Sequence, residues 1–436
     1  MEEFLSLKDK IGNKTAVIGV VGLGYVGLPM AVTVARKGFK VIGVDVSDYA
    51  VEHVNSGDNY IGDVDGAELK KLVENNMLKA YNTYEKLKEA DVVMIAVPTP
   101  LDKYQQPDSS FVKASVASLS EVVSANTLVI LESTTYPGTT EEIVVPALQK
   151  NGFVIGENIY VAFSPERVDP GNAKYKTFNT PKIVGGVTPE CNQICEFFYK
   201  AILDAPVYTV SSPAVAEMEK IYENTFRNIN IALANEMTIL CEKMGLSVWE
   251  VIEAAKTKPY GFMAFYPGPG IGGHCIPLDP FYLTWKARSY GYHTRLIELS
   301  GEINNSMPDF VVTKLMKLLN KKGLSLSNSK ILLLGAAYKK DISDHRESPV
   351  QDLILILEEN GAQFDYNDPY IPEFRNELND KKYLSVELDR VDEYDAIIVV
   401  TDHKCYDYKK IAQEANMILD TRNAFKAYSS DNIVKL

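Results

Sequence analysis

Short runs rich in valine and isoleucine punctuate the first half of the chain, at 15–21, 40–45, 91–97, 128–132 and 159–163. Each ends in Gly, Pro, Ser, Thr or an acid, and helical patterns separate them. Apolar runs alternating with helices are the rhythm of a parallel α/β sheet. In such sheets ligand-contacting groups gather at the carboxyl ends of the strands.

The middle of the chain reads differently. Beyond Pro213 no proline or glycine interrupts the chain as far as Met244, and apolar positions recur at Met218, Ile221, Thr225 (by its methyl), Ile229, Ala232, Met237, Leu240 and Met244. Steps of three to five residues predict one helix, about 48 Å long at about 1.5 Å per residue. Ser211 or Ser212 suits its N-cap, with Pro213 at the first helical position. A helix of this length with apolar stripes on more than one side joins domains or packs against a second subunit. After a polar linker at 321–329 the α/β rhythm resumes, with strands at 330–335, 363–367, 396–401 and 417–420 and a helix near 349–360. The first of these strands runs into GAAYKKD, with no glycine-rich turn. The expected fold is α/β, two Rossmann-like domains joined by a long central helix. The expected boundaries are 1–210 for a dinucleotide-binding domain, 211–320 for a central helical dimerisation region with a cysteine loop, and 321–436 for the second Rossmann-like domain.

Composition narrows the function without naming it. The chain has 436 residues, 46% hydrophobic and 24% charged, which excludes a disordered tail, a collagen-like repeat and a small disulfide scaffold. A net charge of -13 argues against binding nucleic acid, while leaving room for one local basic pocket. Five cysteines do not read as a disulfide framework, so a reducing cytoplasm is expected. MEEFLSLKDK lacks the layout of a signal peptide. No apolar stretch approaches the roughly 18–20 residues that span a bilayer, so no membrane association is expected.

Gly22, Gly24 and Gly27 stand in GxGxxG spacing after an apolar strand and at the opening of a helical pattern. Asp45 follows Gly27 by eighteen residues, at the end of the next strand. In that context the spacing predicts a dinucleotide site. Gly22 permits the tight turn, Gly24 the approach of the pyrophosphate, and Gly27 close packing of helix and strand. The pyrophosphate then sits on the helix N-terminus. Asp45 can accept from both adenosine ribose hydroxyls and would repel a 2′-phosphate, so NAD is the expected cofactor.

Cys275 stands apart from the other cysteines, in PGPGIGGHCIPLDP, a glycine–proline loop unsuited to helix or strand. Such a loop would hold the thiol exposed. Cys191 and Cys195, four apart on a helical pattern, read as core, as does Cys241 within the long helix. Nothing near these residues, His274 included, supplies a zinc ligand set, and no metal is expected. Lys220 and Asn224 lie one turn apart and share a helix face, either a solvated one or one with a function. Glu166 and Arg167 in FSPERVDPGN follow a strand, where they could meet a ligand or form a surface loop.

Taken together these residues resemble the UDP-glucose/GDP-mannose dehydrogenase family. The likeness runs over nearly the whole chain: VGLGYVGLP, VPTP at 97–100, ESTTYPGTT at 132–140, FSPERVDPGN, EKIYENTFRNINIALANE, PGPGIGGHCIPLDP, GAAYKKDISDHRESP and DTRN at 420–423. FSPERVDPGN and TKPYGFMAFYPGPGIGGHC look most like the branch that oxidises UDP-N-acetylglucosamine at C6. The sister branch acts on UDP-N-acetylmannosamine. The resemblance implies two successive oxidations of a C6 alcohol to a carboxylate with two NAD⁺ and one water, in polysaccharide biosynthesis. It makes Cys275 the nucleophile that forms a thiohemiacetal and then a thioester, a role suited to sulfur. It makes Lys220 and Asn224 oxyanion partners that also meet the substrate, Asp279 the residue that orders or activates water, and Glu166 the acid of the active-site loop. Tyr25, Val26, Asp45, Thr99, Thr134 and Arg346 fall on its cofactor positions, and Arg167, Tyr338, Lys339 and Arg422 on its sugar-nucleotide positions. Cations suit a diphosphate. The family also implies a homodimer or a higher homo-oligomer.

One departure bears on the substrate. Where mannosamine-type members read roughly THPR, this chain has Thr257, Lys258, Pro259 and Tyr260, which favours the glucosamine branch and leaves the C4 epimer open. Two other readings remain at this point. A two-electron hydroxyacid dehydrogenase would have no use for Cys275. A non-catalytic sugar-nucleotide or NAD sensor would not need Lys220, Asn224, Cys275 and Asp279 together.

Overall fold

A computed structural model describes residues 2–62, 64–102, 106–169, 171–172, 174–273 and 275–436; His274 lies outside them. The chain divides into two compact units, one of residues 1–223 and 281–292, the other of 224–280 and 293–436. The long helix, Pro213–Met244, is shared between them, since the division falls at Glu223. At its start the Val215 N–H lies 3.4 Å from the Ser212 hydroxyl, so Ser212 serves as the cap.

The first unit is built on eight strands: β1 (Val17–Val21), β2 (Lys40–Val44), β3 (Leu78–Tyr81), β4 (Val92–Ile95), β5 (Thr127–Leu131), β6 (Ile159–Phe163), β7 (Lys182–Gly186) and β8 (Val207–Val210). Their order is β3-β2-β1-β4-β5-β6-β7-β8, and all neighbours run parallel except β6 and β7. Helices cover both faces, so successive strand residues bury to opposite sides. Met94, Leu128, Ile130 and Ala162 enter one core, and Val93, Ile95, Val129, Leu131 and Phe163 enter another. This two-sided burial is why the strands read as unbroken apolar runs. Strands β3, β7 and β8 escaped the sequence reading because their runs are short and polar-flanked, as in LKAY and VYTV.

The second unit holds β9 (Lys330–Leu334), β10 (Gln363–Asn367), the small antiparallel pair β11 (Glu373–Arg375) and β12 (Lys382–Leu384), then β13 (Ala396–Val399), β14 (Ile418–Asp420) and β15 (Ile433–Lys435). Its main sheet is parallel, in the order β10-β9-β13-β14-β15. The polar segment 321–329 is not a plain linker. The preceding helix ends at Lys321, Leu326–Asn328 forms a helical turn, and Leu326 and Ser329 are buried.

The turn after β9 shows why this domain lacks a glycine fingerprint. Asp368, after β10, accepts the Ala336 and Ala337 N–H groups at 2.7 and 2.8 Å. It also pairs with the buried His403 at 2.9 Å. Its carboxylate thus takes backbone donors that a pyrophosphate would need. Among the described residues, no helix is long and apolar enough to cross a membrane.

Candidate active site

In the first unit the glycine turn has the geometry that a dinucleotide needs. Gly22 has φ +86°, and a Cβ there would lie 2.5 Å from the Ala96 carbonyl oxygen. Only glycine meets both conditions. A Cβ on Gly27 would collide with the Gly22 carbonyl, whereas one on Gly24 would meet no atom within 4 Å. The turn is therefore packed tight on the protein side and open at Gly24. The helix Gly27–Arg36 begins there with no side-chain cap and no acid in its first turn. That is the donor set and polarity for a pyrophosphate.

Asp45, just past β2, accepts the Leu23 N–H at 2.7 Å and the Ser47 N–H at 2.9 Å. It fixes the turn as well as standing where a ribose would lie. Tyr60, which the sequence did not single out, clasps the same turn by donating to the Leu23 carbonyl at 2.6 Å. Tyr25 is exposed beside Gly24, and Val26 occupies the cap position of the helix. Thr99 and Thr134 follow the carboxyl ends of β4 and β5, on the sheet edge that carries the glycine turn. The buried Tyr282 hydroxyl donates to the carbonyls of Thr99 and Pro100, which holds the VPTP segment.

A buried ionic cluster lies beyond β5, β6 and β7. The Lys182 ammonium is 2.9 Å from Glu132 and 3.3 Å from Glu166. Tyr199 donates to Glu132 at 2.6 Å. The other Glu166 oxygen accepts the Arg167 and Val168 N–H groups, each at 2.8 Å. Burial works against the Glu166 charge, but Lys182, those N–H groups and the Lys220 charge hold its carboxyl below the usual range. Burial pushes the Glu132 carboxyl up, despite Lys182. Lys182 carries no sequence signal, since a lysine opening a strand ordinarily faces water, and Glu132 stands out only as the first residue of ESTTYPGTT.

Arg167, expected on the sugar nucleotide, is paired with acids in this structure. Its guanidinium is bound by Glu223 and lies 3.4 Å from Glu219, two carboxylates of the long helix that would repel a phosphate. Lys220 and Asn224 on that helix are buried, at 8% and 5% exposure, so the solvated-face reading of the pair fails.

In the second unit the cysteine segment corrects the sequence reading. Cys275 is exposed, as expected, but it opens a helix, Cys275–Ser289, rather than lying in a loop. Prolines hid this helix. Pro277 falls in the first turn, where its missing N–H costs nothing. Pro280 lies inside the helix and leaves the Ile276 carbonyl without its helical donor. Asn228 of the long helix supplies that donor at 3.1 Å. Sulfur thus stands at the first position of this helix.

One turn on, Asp279 accepts from Asn224 at 2.6 Å, both side chains being buried. The segment before Cys275 packs on the other expected residues of this unit. The Gly273 N–H donates to the Arg346 carbonyl at 3.1 Å. A Cβ on Gly272 would lie 2.6 Å from Tyr338, and one on Gly268 would strike the Arg422 guanidinium. Arg346 pairs with Asp344 at 2.7 Å, Arg422 donates to the Val400 carbonyl at 2.8 Å, and Lys339 follows Tyr338 beyond β9. Cys275, Asp279, Asn224, Tyr338, Arg346 and Arg422 thus belong to one unit. The glycine turn, Asp45, Thr99, Thr134, Glu166, Arg167 and Lys220 belong to the other. Cys191 and Cys195 are buried, as core residues should be. Among the described residues no cluster of His, Cys, Asp or Glu is placed to hold a metal.

Comparison with known proteins identifies the family. The chain matches the UDP-glucose/GDP-mannose dehydrogenase family in its NAD binding domain over residues 16–203, its central domain over 214–306 and its UDP binding domain over 332–427. It is 39% identical to the UDP-N-acetyl-D-glucosamine 6-dehydrogenase of Pseudomonas aeruginosa, across 82% of this chain and 84% of that protein. It is 34% identical to the UDP-N-acetyl-D-mannosamine dehydrogenase of Pyrococcus horikoshii, across 94% and 96%. The solved structure of the UDP-D-ManNAc dehydrogenase from Pyrococcus horikoshii superposes with a TM-score of 0.88 at 33% identity, covering 96% of this chain and 98% of that one. With all three domains matched in order around an NAD-shaped turn and an exposed thiol, the chain belongs to the UDP-glucose/GDP-mannose dehydrogenase family and is an NAD-dependent UDP-sugar dehydrogenase.

Proposed function

We propose that this enzyme oxidises the C6 hydroxyl of a UDP-N-acetylhexosamine, with UDP-N-acetylglucosamine preferred, to the uronic acid in two steps. The observation that carries the four-electron reading is the exposed thiol of Cys275 at a helix start, one turn before the buried Asn224–Asp279 pair. When bound, NAD⁺ supplies the hydride acceptor for each step. Cys275 Sγ adds to the C6 aldehyde, giving a thiohemiacetal whose oxidation leaves a thioester. Lys220 and Asn224 stabilise the oxyanion that develops at the carbon under attack. Asp279 orders the water that bonds to the thioester carbon. As the C–S bond breaks, sulfur leaves as thiolate and the proton of the water passes to Glu166. Tyr338, Lys339 and Arg422 are assigned to the sugar nucleotide, and Arg346 to the cofactor. Arg167, bound to carboxylates, is assigned to hold the Glu166 loop in place.

The preference for the glucosamine epimer is supported by the 39% identity to a UDP-N-acetyl-D-glucosamine 6-dehydrogenase and by Lys258-Pro259-Tyr260. The mannosamine epimer has its own support in relatives at 34–35% identity. Following NADH absorbance with a panel of UDP-sugars decides between them. The expected kcat/KM for UDP-N-acetylglucosamine is about tenfold or more above those for UDP-glucose and UDP-N-acetylmannosamine. A buried acetamide pocket left unpaired costs about 1–3 kcal/mol. A tenfold preference for either competitor would overturn the assignment.

The long helix also supports assembly. Its buried side mixes the polar Glu217, Lys220, Asn224, Thr225, Asn228, Asn235 and Thr238 with the apolar Ala216, Ile221, Ala232, Ala234 and Cys241. Its exposed side is apolar, with Val215, Met218, Tyr222, Phe226, Leu233, Leu240 and Met244 at helical spacing. Large apolar side chains left exposed along one helix support the reading that a second copy covers them. Light scattering at micromolar concentration is expected to give at least a dimer. A mass of 48.5 kDa would contradict it.

A further inference from the structure

We propose that Lys182 is a positioning residue for Glu166: buried between Glu132 and Glu166, its ammonium orients the Glu166 carboxylate and keeps it ionised, ready to take a proton. The inference rests on the reading of Glu166 as the proton acceptor of the thioester step.

The sheet itself creates the contact. Strand β7 runs antiparallel to β6, with Phe163 opposite Gly185 and Ala162 opposite Gly186. Carried three residues past the end of β6, that register sets Glu166 opposite Lys182. Strand β5 pairs β6 with Leu131 beside Phe163, which brings Glu132 to the same place. The side chains of Glu132 and Lys182 are 0% and 4% exposed, while that of Glu166 is 15% exposed and is the member of the three that meets the outside.

Burying an ammonium is costly unless it is paired, and here each carboxylate offsets part of that cost. Glu132 alone would suffice for a structural pair. The second contact, to the carboxylate on the active-site loop, is what a structural stitch does not need. Glu132 carries one oxygen that is buried without a hydrogen-bond partner. The other charged and titratable groups around the cluster are Lys220 and Arg167, which favour the Glu166 carboxylate, and Tyr199 and Cys195, which burial keeps neutral.

The sign of the pH effect follows. With Lys182 in place the Glu166 carboxyl lies below its usual range, so the carboxylate persists through the mildly acidic range. Without the cation, burial dominates and Glu166 takes up a proton at higher pH. The test is the pH profile of kcat/KM for a UDP-N-acetylhexosamine in wild type, Lys182→Met, Lys182→Arg and Glu132→Gln, with NAD⁺ affinity measured alongside. Wild-type enzyme that does not oxidise any UDP-N-acetylhexosamine defeats the underlying reading before any variant is compared.

Given activity, Lys182→Met is expected to move the acid limb up by about one pH unit or more. It should lower kcat/KM by roughly 10²-fold near neutral pH, the scale of one proton-transfer group, with NAD⁺ affinity unchanged. Lys182→Arg is expected to return the limb to the wild-type position. A folded Lys182→Met enzyme whose acid limb stays put overturns the proposal. Should Lys182→Met not fold, Glu132→Gln decides. It removes the competing anion and keeps the cation, so activity at pH 6 relative to pH 8 is expected to equal or exceed that of wild type, and a fall overturns the proposal.

Discussion

Replacing Cys275 with alanine is expected to end catalysis at the first oxidation while leaving both ligands able to bind. The sulfur contributes no part of the glycine turn or of the cations assigned to the diphosphate, so calorimetric affinities for NAD⁺ and for the UDP-sugar should match wild type. An aldehyde cannot give up a second hydride until a nucleophile has converted it to a tetrahedral adduct. With no thiolate, the steady-state rate of uronic acid formation should fall by about 10³-fold or more, on the scale seen when a covalent nucleophile is removed. Wild-type enzyme should release two NADH per sugar acid. Alanine at Cys191 or Cys195, both buried in the first unit, should cost stability but leave that stoichiometry intact. A Cys275→Ala enzyme that still made two NADH per sugar at the wild-type rate would remove the thiol from the mechanism.

The second large effect is expected in the glycine turn, where two neighbouring alanines should fail for different reasons. A Cβ on Gly27 would collide with the Gly22 carbonyl, inside a turn that Asp45 and Tyr60 already clasp. The turn must open, so Gly27→Ala should lose about 1–3 kcal/mol of stability by overpacking. It should also weaken NAD⁺ binding by about 100-fold, or about 2.7 kcal/mol. Gly24→Ala adds a methyl to open space and should melt close to wild type. Its methyl instead fills the approach of the pyrophosphate, so its NAD⁺ affinity should fall while its stability does not. Thermal unfolding and titration of NAD⁺ on the same samples separate the two. Wild-type NAD⁺ affinity in Gly24→Ala would show that the cofactor does not lie against this turn.

Much of the architecture was legible because it rests on local rules. Unbroken apolar runs mark strands buried on both faces, which is how Ile159–Phe163 could be bounded correctly. An uninterrupted helical period from Pro213 to Met244 gave the long helix its ends. The glycine spacing followed by Asp45 carried the dinucleotide turn, since few other residues tolerate that backbone.

What escaped was set by neighbours distant in the chain. The Cys275 helix is disguised by Pro280, whose orphaned carbonyl is satisfied by Asn228, 48 residues earlier. The pairing of Arg167 with Glu223 and Glu219 could not be read from the sequence either. Lys182 went unnoticed in the sequence, because only the antiparallel register of β6 and β7 sets it against Glu166.

The sequence by itself therefore determined the parallel sheets, the long helix, the glycine turn and the exposure of Cys275 against the buried Cys191 and Cys195, because periodicity and backbone freedom are properties of the residues themselves. Tertiary structure alone decided which side chains on the long helix are buried, which cations are already neutralised and where Cys275 sits relative to a helix start. Those outcomes depend on charge pairing and hydrogen-bond satisfaction between segments that only the folded sheet brings within 3 Å or so of one another.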